Sequence, residues 1–212
     1  MLMSLCDIDR KDKVDKLQEF MDKDIQAAID GKANYLAALG LSTYTENLGG
    51  FLNGNFDKRN SGINYTKFFS YFPSSGLYAT LDSNLRSSPL LEGLYKVVRC
   101  GLVHEYFMKA DSQVTTGVPS PTSCGIVYDP LKSPQLTFYV DTYFDHFKTA
   151  LKKYHDELLG TSPSTPPNST KDLQDNFDKA YKSLALSNTP SGFSAAVSGG
   201  SSITYRTFRT SP

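Results

Sequence analysis

A chain of 212 residues with 39% hydrophobic residues is long enough to bury a core, as one domain with appendages or two small ones. Its 22 Lys and Arg balance its 22 Asp and Glu, which excludes a global electrostatic pull toward nucleic acid or anionic membrane and makes any polyanion site a local one. The three cysteines, Cys6, Cys100 and Cys124, lack any Cys-x-x-Cys spacing, which argues against a disulfide framework or a zinc site and fits a reducing compartment.

From Asp9 to Asp30, the apolar residues Val14, Leu17, Met21, Ile25 and Ala28 recur at three- and four-residue steps among Lys and Asp, predicting an amphipathic helix that ends at Gly31. Ahead of it, MLMSLC is too short for a signal-peptide core, and no apolar run approaches membrane-spanning length. The expectation is a cytoplasmic protein without a membrane partner, in which the sequons at Asn64 and Asn168 are coincidences. Ala33–Leu52 is rich in small residues (Ala37, Ala38, Gly40, Ser42, Gly49, Gly50) and reads as a core helix packed closely on a neighbour.

The polar break NGNFDKRNSG suits a turn. A short aromatic helix, NYTKFFSYF, follows and stops at Pro73; its Phe68, Phe69, Tyr71 and Phe72 fit a core better than a base-stacking surface. After Pro89, the run Leu90–Lys109 predicts a largely apolar helix. Cys124–Tyr128 and Gln135–Val140 read as two strands of a hairpin around DPLKSP, followed by a helix over Thr142–Leu159. The Ser/Thr/Pro stretch Thr161–Thr170 reads as a linker. Beyond it come a helix over Lys171–Leu186 and a candidate second hairpin in which FSAAV and ITYRTFR flank SGGSS.

The expected fold is mainly α: a helical bundle with a small antiparallel β-hairpin or sheet appendage. Residues 1–160 form the helical domain with the hairpin inserted near 124–140, 161–170 the linker, and 171–212 a helix with a hairpin tail.

The central run holds the most chemistry, because Arg99 and His104 place a permanent cation and a neutral-pH proton carrier on one apolar helix. At about 100° per residue, Leu91, Leu94, Tyr95, Val98, Leu102 and Tyr106 form an apolar stripe, and Arg99 and His104 fall on its two borders, roughly 140° apart. Such a pair converges more easily across a two-fold partner than within one helix. Glu105 falls inside the stripe and needs a partner. Glu46, on the small-residue helix, is a candidate partner for Arg99. Cys100 is expected to be a buried, inert thiol, although the neighbouring Arg99 would favour its thiolate. Asp141, Asp145, His146 and His155 are spaced as weak metal-ligand candidates, but helix N-terminal chemistry accounts for the Asp residues, so neither metal nor cofactor is expected.

Arg99-Cys100-Gly101-Leu102-Val103-His104 resembles the signature of the HEPN superfamily, an Arg and a His separated by four to six residues in an all-α protein. The resemblance covers the helical body, Asp9–Lys109 with Thr142–Leu159, and not the strands or tail. It implies a homodimeric, metal-independent ribonuclease acting in RNA processing, stress or defence. His104 would then be general acid or base on the ribose 2′-hydroxyl or leaving oxygen, and Arg99 would hold the phosphate. Cys100 stands where the active members usually carry a polar residue. The alternative is a non-catalytic binding or assembly module for a nucleotide or protein partner, in which Arg99 pairs with a carboxylate and both side chains are structural.

Overall fold

The computed structural model describes residues 5–88, 91–104, 111–117, 124–162 and 167–187. In chain order the helices are α1 (Leu5–Asp30), α2 (Asn34–Asn53), α3 (Ser61–Phe68), α4 (Ser75–Ser87), α5 (Gly101–His104), α6 (Val140–Leu158) and α7 (Pro167–Ser187). The strands are β1 (Ser112–Thr115), β2 (Ile126–Tyr128) and β3 (Leu136–Tyr139). The protein is therefore mainly helical with a small sheet, as its periodicities imply.

α1 buries Val14, Met21 and Ile25 and carries the pairs Lys13–Asp9, Lys16–Asp12 and Lys23–Glu19 on its outer face. Such exposed pairs each add only a few tenths of a kcal/mol, so α1 is held by its apolar stripe. The helix closes in a Schellman turn, with Lys32 N–H to the Ile29 carbonyl and Ala33 N–H to the Ala28 carbonyl. Lys32, not Gly31, takes the left-handed φ of 57°.

α2 is the central helix, packed against α1, α3, α6 and α7. Its small residues permit that crowding. A Cβ on Gly49 would lie 1.7 Å from the Asn64 carbonyl oxygen of α3, and one on Gly40 would lie 2.7 Å from Ile25 of α1. Asn64 is itself 2% exposed; its amide nitrogen donates to the Asn55 carbonyl and its oxygen accepts from Asn53.

The aromatic run forms the heart of the core. Phe69 stacks on Tyr78 at 4.7 Å and meets Phe72 edge-on at 5.2 Å, while Phe72 meets Tyr143 of α6 at 5.2 Å. Each such ring contributes about 1.5–3 kcal/mol by leaving water. Tyr78 belongs to α4, an element absent from the sequence reading although Tyr78, Leu81 and Leu85 repeat at helical spacing and are all buried.

β2 and β3 form the expected hairpin, with Ile126 opposite Phe138. β1, also absent from the sequence reading, pairs parallel with the other edge of β3, placing Val114 opposite Phe138. The sheet, ordered β1-β3-β2, is thus mixed rather than wholly antiparallel. It rests on α6, where a Cβ on Gly125 would lie 2.6 Å from the Tyr143 backbone.

α7 begins at Pro167 rather than Lys171, because a proline in the first helical turn gives up no intrahelical hydrogen bond. Asn168–Thr170 are therefore helical rather than linker. Phe177 and Ala180 join the common core, Asn176 donates to the Leu52 carbonyl, and Arg10 of α1 grips Asp178. The second hairpin expected beyond residue 190 lies outside the described residues. Among the described residues no helix is long and apolar enough to cross a membrane.

Candidate functional site

The segment carrying Arg99 and His104 starts later than Pro89 alone implies. Glu92 and Gly93 both take left-handed conformations (φ 57° and 95°), which no helix accommodates, so the helical path begins at Leu94. Asp82 of α4 secures that start: its Oδ1 accepts the Leu94 N–H at 2.8 Å, and its Oδ2 accepts from Arg86. A Cβ at residue 93 would lie 2.8 Å from the same Asp82 oxygen, so glycine serves both the turn and the close approach.

From Tyr95 to Cys100 the chain runs as a π-helical turn before narrowing to α5. A π turn bonds i to i+5, so the regular wheel used on the sequence does not hold here, and such turns recur at functional sites. Leu94, Val97, Val98 and Leu102 face the core, as the apolar stripe predicts, whereas Tyr95 stays half-buried. The Tyr35 hydroxyl of α2 donates to the Leu102 carbonyl, tying α5 to the central helix.

Arg99 turns toward α2. Its Nε donates to Oε2 of Glu46 at 2.5 Å, with the two side chains only 19% and 15% exposed. Among the described residues neither terminal amino group of Arg99 donates a hydrogen bond. Glu46 is thus the partner foreseen on the small-residue helix, and it engages one edge of a five-donor fork.

Cys100 departs from expectation, because it is half-exposed, while Cys124 is the buried thiol. Burial pushes the Cys124 thiol up; its sulfur donates to the Ile126 carbonyl. Beside Cys100, partial burial raises the Tyr95 phenol.

His104 is exposed at the end of α5, with no hydrogen bond or ion pair to Arg99. Within one chain no direct contact joins the two motif residues. Glu105 lies outside the described residues.

The other titratable candidates have structural partners. The Tyr78 hydroxyl accepts the Gly125 N–H at 3.0 Å and shares a 3.0 Å hydrogen bond with His146 Nδ1; burial holds the His146 imidazole below its ordinary range. His155 Nε2 meets Asp15 at 2.6 Å, tying α6 to α1. Lys11 first, and His155 second, hold the Asp15 carboxyl below the usual carboxylate range. Asp141 accepts the Gly117 N–H, and Asp145 pairs with Lys148. Among the described residues no three His, Cys, Asp or Glu side chains are grouped to hold a metal ion.

Sequence reasoning did not find Tyr35 or Asp82, the two side chains that hold the segment's backbone at Leu102 and Leu94. Neither carries a local signal, since each acts on backbone far away in sequence. Comparison of the chain with protein-family models, with curated proteins and with solved structures returned no match.

Proposed function

We propose that this chain is a HEPN-like protein that cleaves RNA without a metal ion, with His104 of one subunit and Arg99 of another meeting across a homodimer. One observation carries the reading: Arg99 keeps its terminal amino groups open while His104 stands exposed on the same ten-residue segment. Lys96, also exposed there, adds a second cation for a polyanion. His104 takes the proton of a ribose 2′-hydroxyl, whose oxygen attacks the adjacent phosphorus as the bond to the 5′-oxygen breaks, and the leaving oxygen takes up a proton. Arg99 offers two N–H donors to the phosphate oxygens as charge builds. Incubating the purified protein with structured and single-stranded RNA in EDTA tests this. Cleavage should fall at least about 100-fold in His104→Ala, and equal rates would overturn the ribonuclease reading.

A second reading is favoured by the ion pair itself. Glu46 neutralises Arg99 in a half-dry setting, as in a structural strut, and the chain would then be a non-catalytic binding or assembly module for a nucleotide or protein partner. In that case His104→Ala weakens dimerisation or ligand binding, read by sedimentation or calorimetry, with no RNA cleavage to lose.

A further inference from the structure

We infer that Glu46 is a positioning residue, aiming the terminal edge of Arg99 at an RNA phosphate, rather than a counterion that merely neutralises it. This rests on the ribonuclease reading, and it deepens that reading by giving a role to a residue on a different helix.

The geometry carries the inference. A carboxylate paired with an arginine frequently engages its fork with both oxygens, two parallel hydrogen bonds being the stronger arrangement. Arg10 is held that way: Nε reaches Asp178 Oδ1 at 3.3 Å and Nη2 reaches Oδ2 at 2.9 Å. Arg59 is held the same way by Asp57. Arg99 is not, because Glu46 takes Nε alone. The planar guanidinium is thereby fixed through its inner edge, leaving the outer edge with the two parallel donors that match a phosphate.

The support for Glu46 is rigid. It sits on α2, which is packed on α1, α3, α6 and α7 as well as α5, three residues before Gly49, where α2 and α3 approach too closely for a side chain. A guanidinium held from such a helix loses less rotational freedom when an anion arrives. The charge of Glu46 works the other way, since a carboxylate near a phosphate weakens its binding. The two contributions separate by substitution. Glu46→Gln keeps a neutral acceptor for Nε and removes the charge, whereas Glu46→Ala removes both.

The test uses the full-length protein and two RNA probes of one sequence, one cleavable and one fully 2′-O-methylated so that it binds but cannot react. For a positioning role, Glu46→Ala lowers kcat about tenfold or more and weakens binding of the methylated RNA about fivefold. Glu46→Gln keeps kcat within about threefold of wild type and lowers KM. Cleavage that is unchanged or faster in Glu46→Ala overturns the inference, as does equal loss in both variants. If wild type shows no His104-dependent cleavage, the ribonuclease reading fails alone, and the methylated RNA decides the role of Glu46. Weaker binding in Glu46→Ala with binding retained in Glu46→Gln supports positioning. Binding that is absent in wild type, or tighter or unchanged in Glu46→Ala, overturns it. Urea unfolding of Glu46→Gln confirms that the comparison is made on folded protein.

Discussion

Arg10 and Arg99 both sit on helices, are both largely buried, and both pair with a carboxylate from a distant helix, yet they are used differently. Arg10 joins α1 to α7 through two parallel hydrogen bonds, and its side chain is 8% exposed. Arg99 joins the π turn to α2 through Nε alone, beside an exposed imidazole five residues on. Each arginine is charge-paired, Arg10 with a half-exposed Asp178 and Arg99 with a more buried Glu46; what differs further is how many donors the partner leaves open. An arginine whose Nε and Nη2 are both taken by its partner is part of the scaffold, whereas one held through Nε alone keeps both terminal amino groups for a ligand.

The largest expected effect lies in the scaffold that both arginines share. Gly49→Ala forces α2 and α3 apart, because the added Cβ would stand 1.7 Å from backbone. It should destabilise the fold by about 3 kcal/mol or more, read as a lowered urea midpoint. A midpoint within error of wild type would show that the two helices can separate freely.

The two arginines should then part company. Arg10→Ala removes the buried partner of a half-exposed Asp178 and should cost about 2 kcal/mol of stability, with RNA cleavage unchanged at temperatures where the variant is folded. Arg99→Ala should cost at least about 2 kcal/mol as well, since it leaves the more buried Glu46 without its partner, but should also reduce cleavage about 100-fold. The same loss of activity in both variants, after correction for folding, would erase the distinction between them.

The smallest effect is one of pH. Burial lowers the His146 pKa from its ordinary 6.5. The unfolded chain therefore binds the imidazole proton more readily than the folded one. The stability due to His146 is complete above 6.5 and declines as pH falls below it toward the folded value. Urea unfolding at about pH 7.5 and 5.5 should show this as a loss under about 1 kcal/mol, because the ring is half-exposed. His146→Gln should flatten that part of the slope; an equal slope in the variant would assign it to other groups.

Much of this was legible in the sequence where the signal is periodic and local. The stripe of α1 and the small residues of α2 name the faces that are buried, and the β-rich runs around DPLKSP name the hairpin of β2 and β3. Glu46 was legible as a partner for Arg99 because a carboxylate on a core helix needs a cation. Less legible were elements whose identity depends on a neighbour. β1, with the sequence SQVT, has neither length nor alternation, and it becomes a strand only by pairing with the free edge of β3. The π turn was hidden for the same reason, since a wheel assumes one pitch throughout. Exposure of His104 was not legible either, because the π turn shifts the angular position of every residue after it.

The central claim is that Arg99 of one subunit serves His104 of another, and subunit mixing tests it most directly. Arg99→Ala and His104→Ala proteins, each inactive alone, are mixed and allowed to exchange subunits. If the site is shared, half of the dimers are hybrids and each hybrid carries one intact site, so RNA cleavage in EDTA should return to about a quarter of wild type. A mixture of exchanged subunits that stays as inactive as its components would contradict the account.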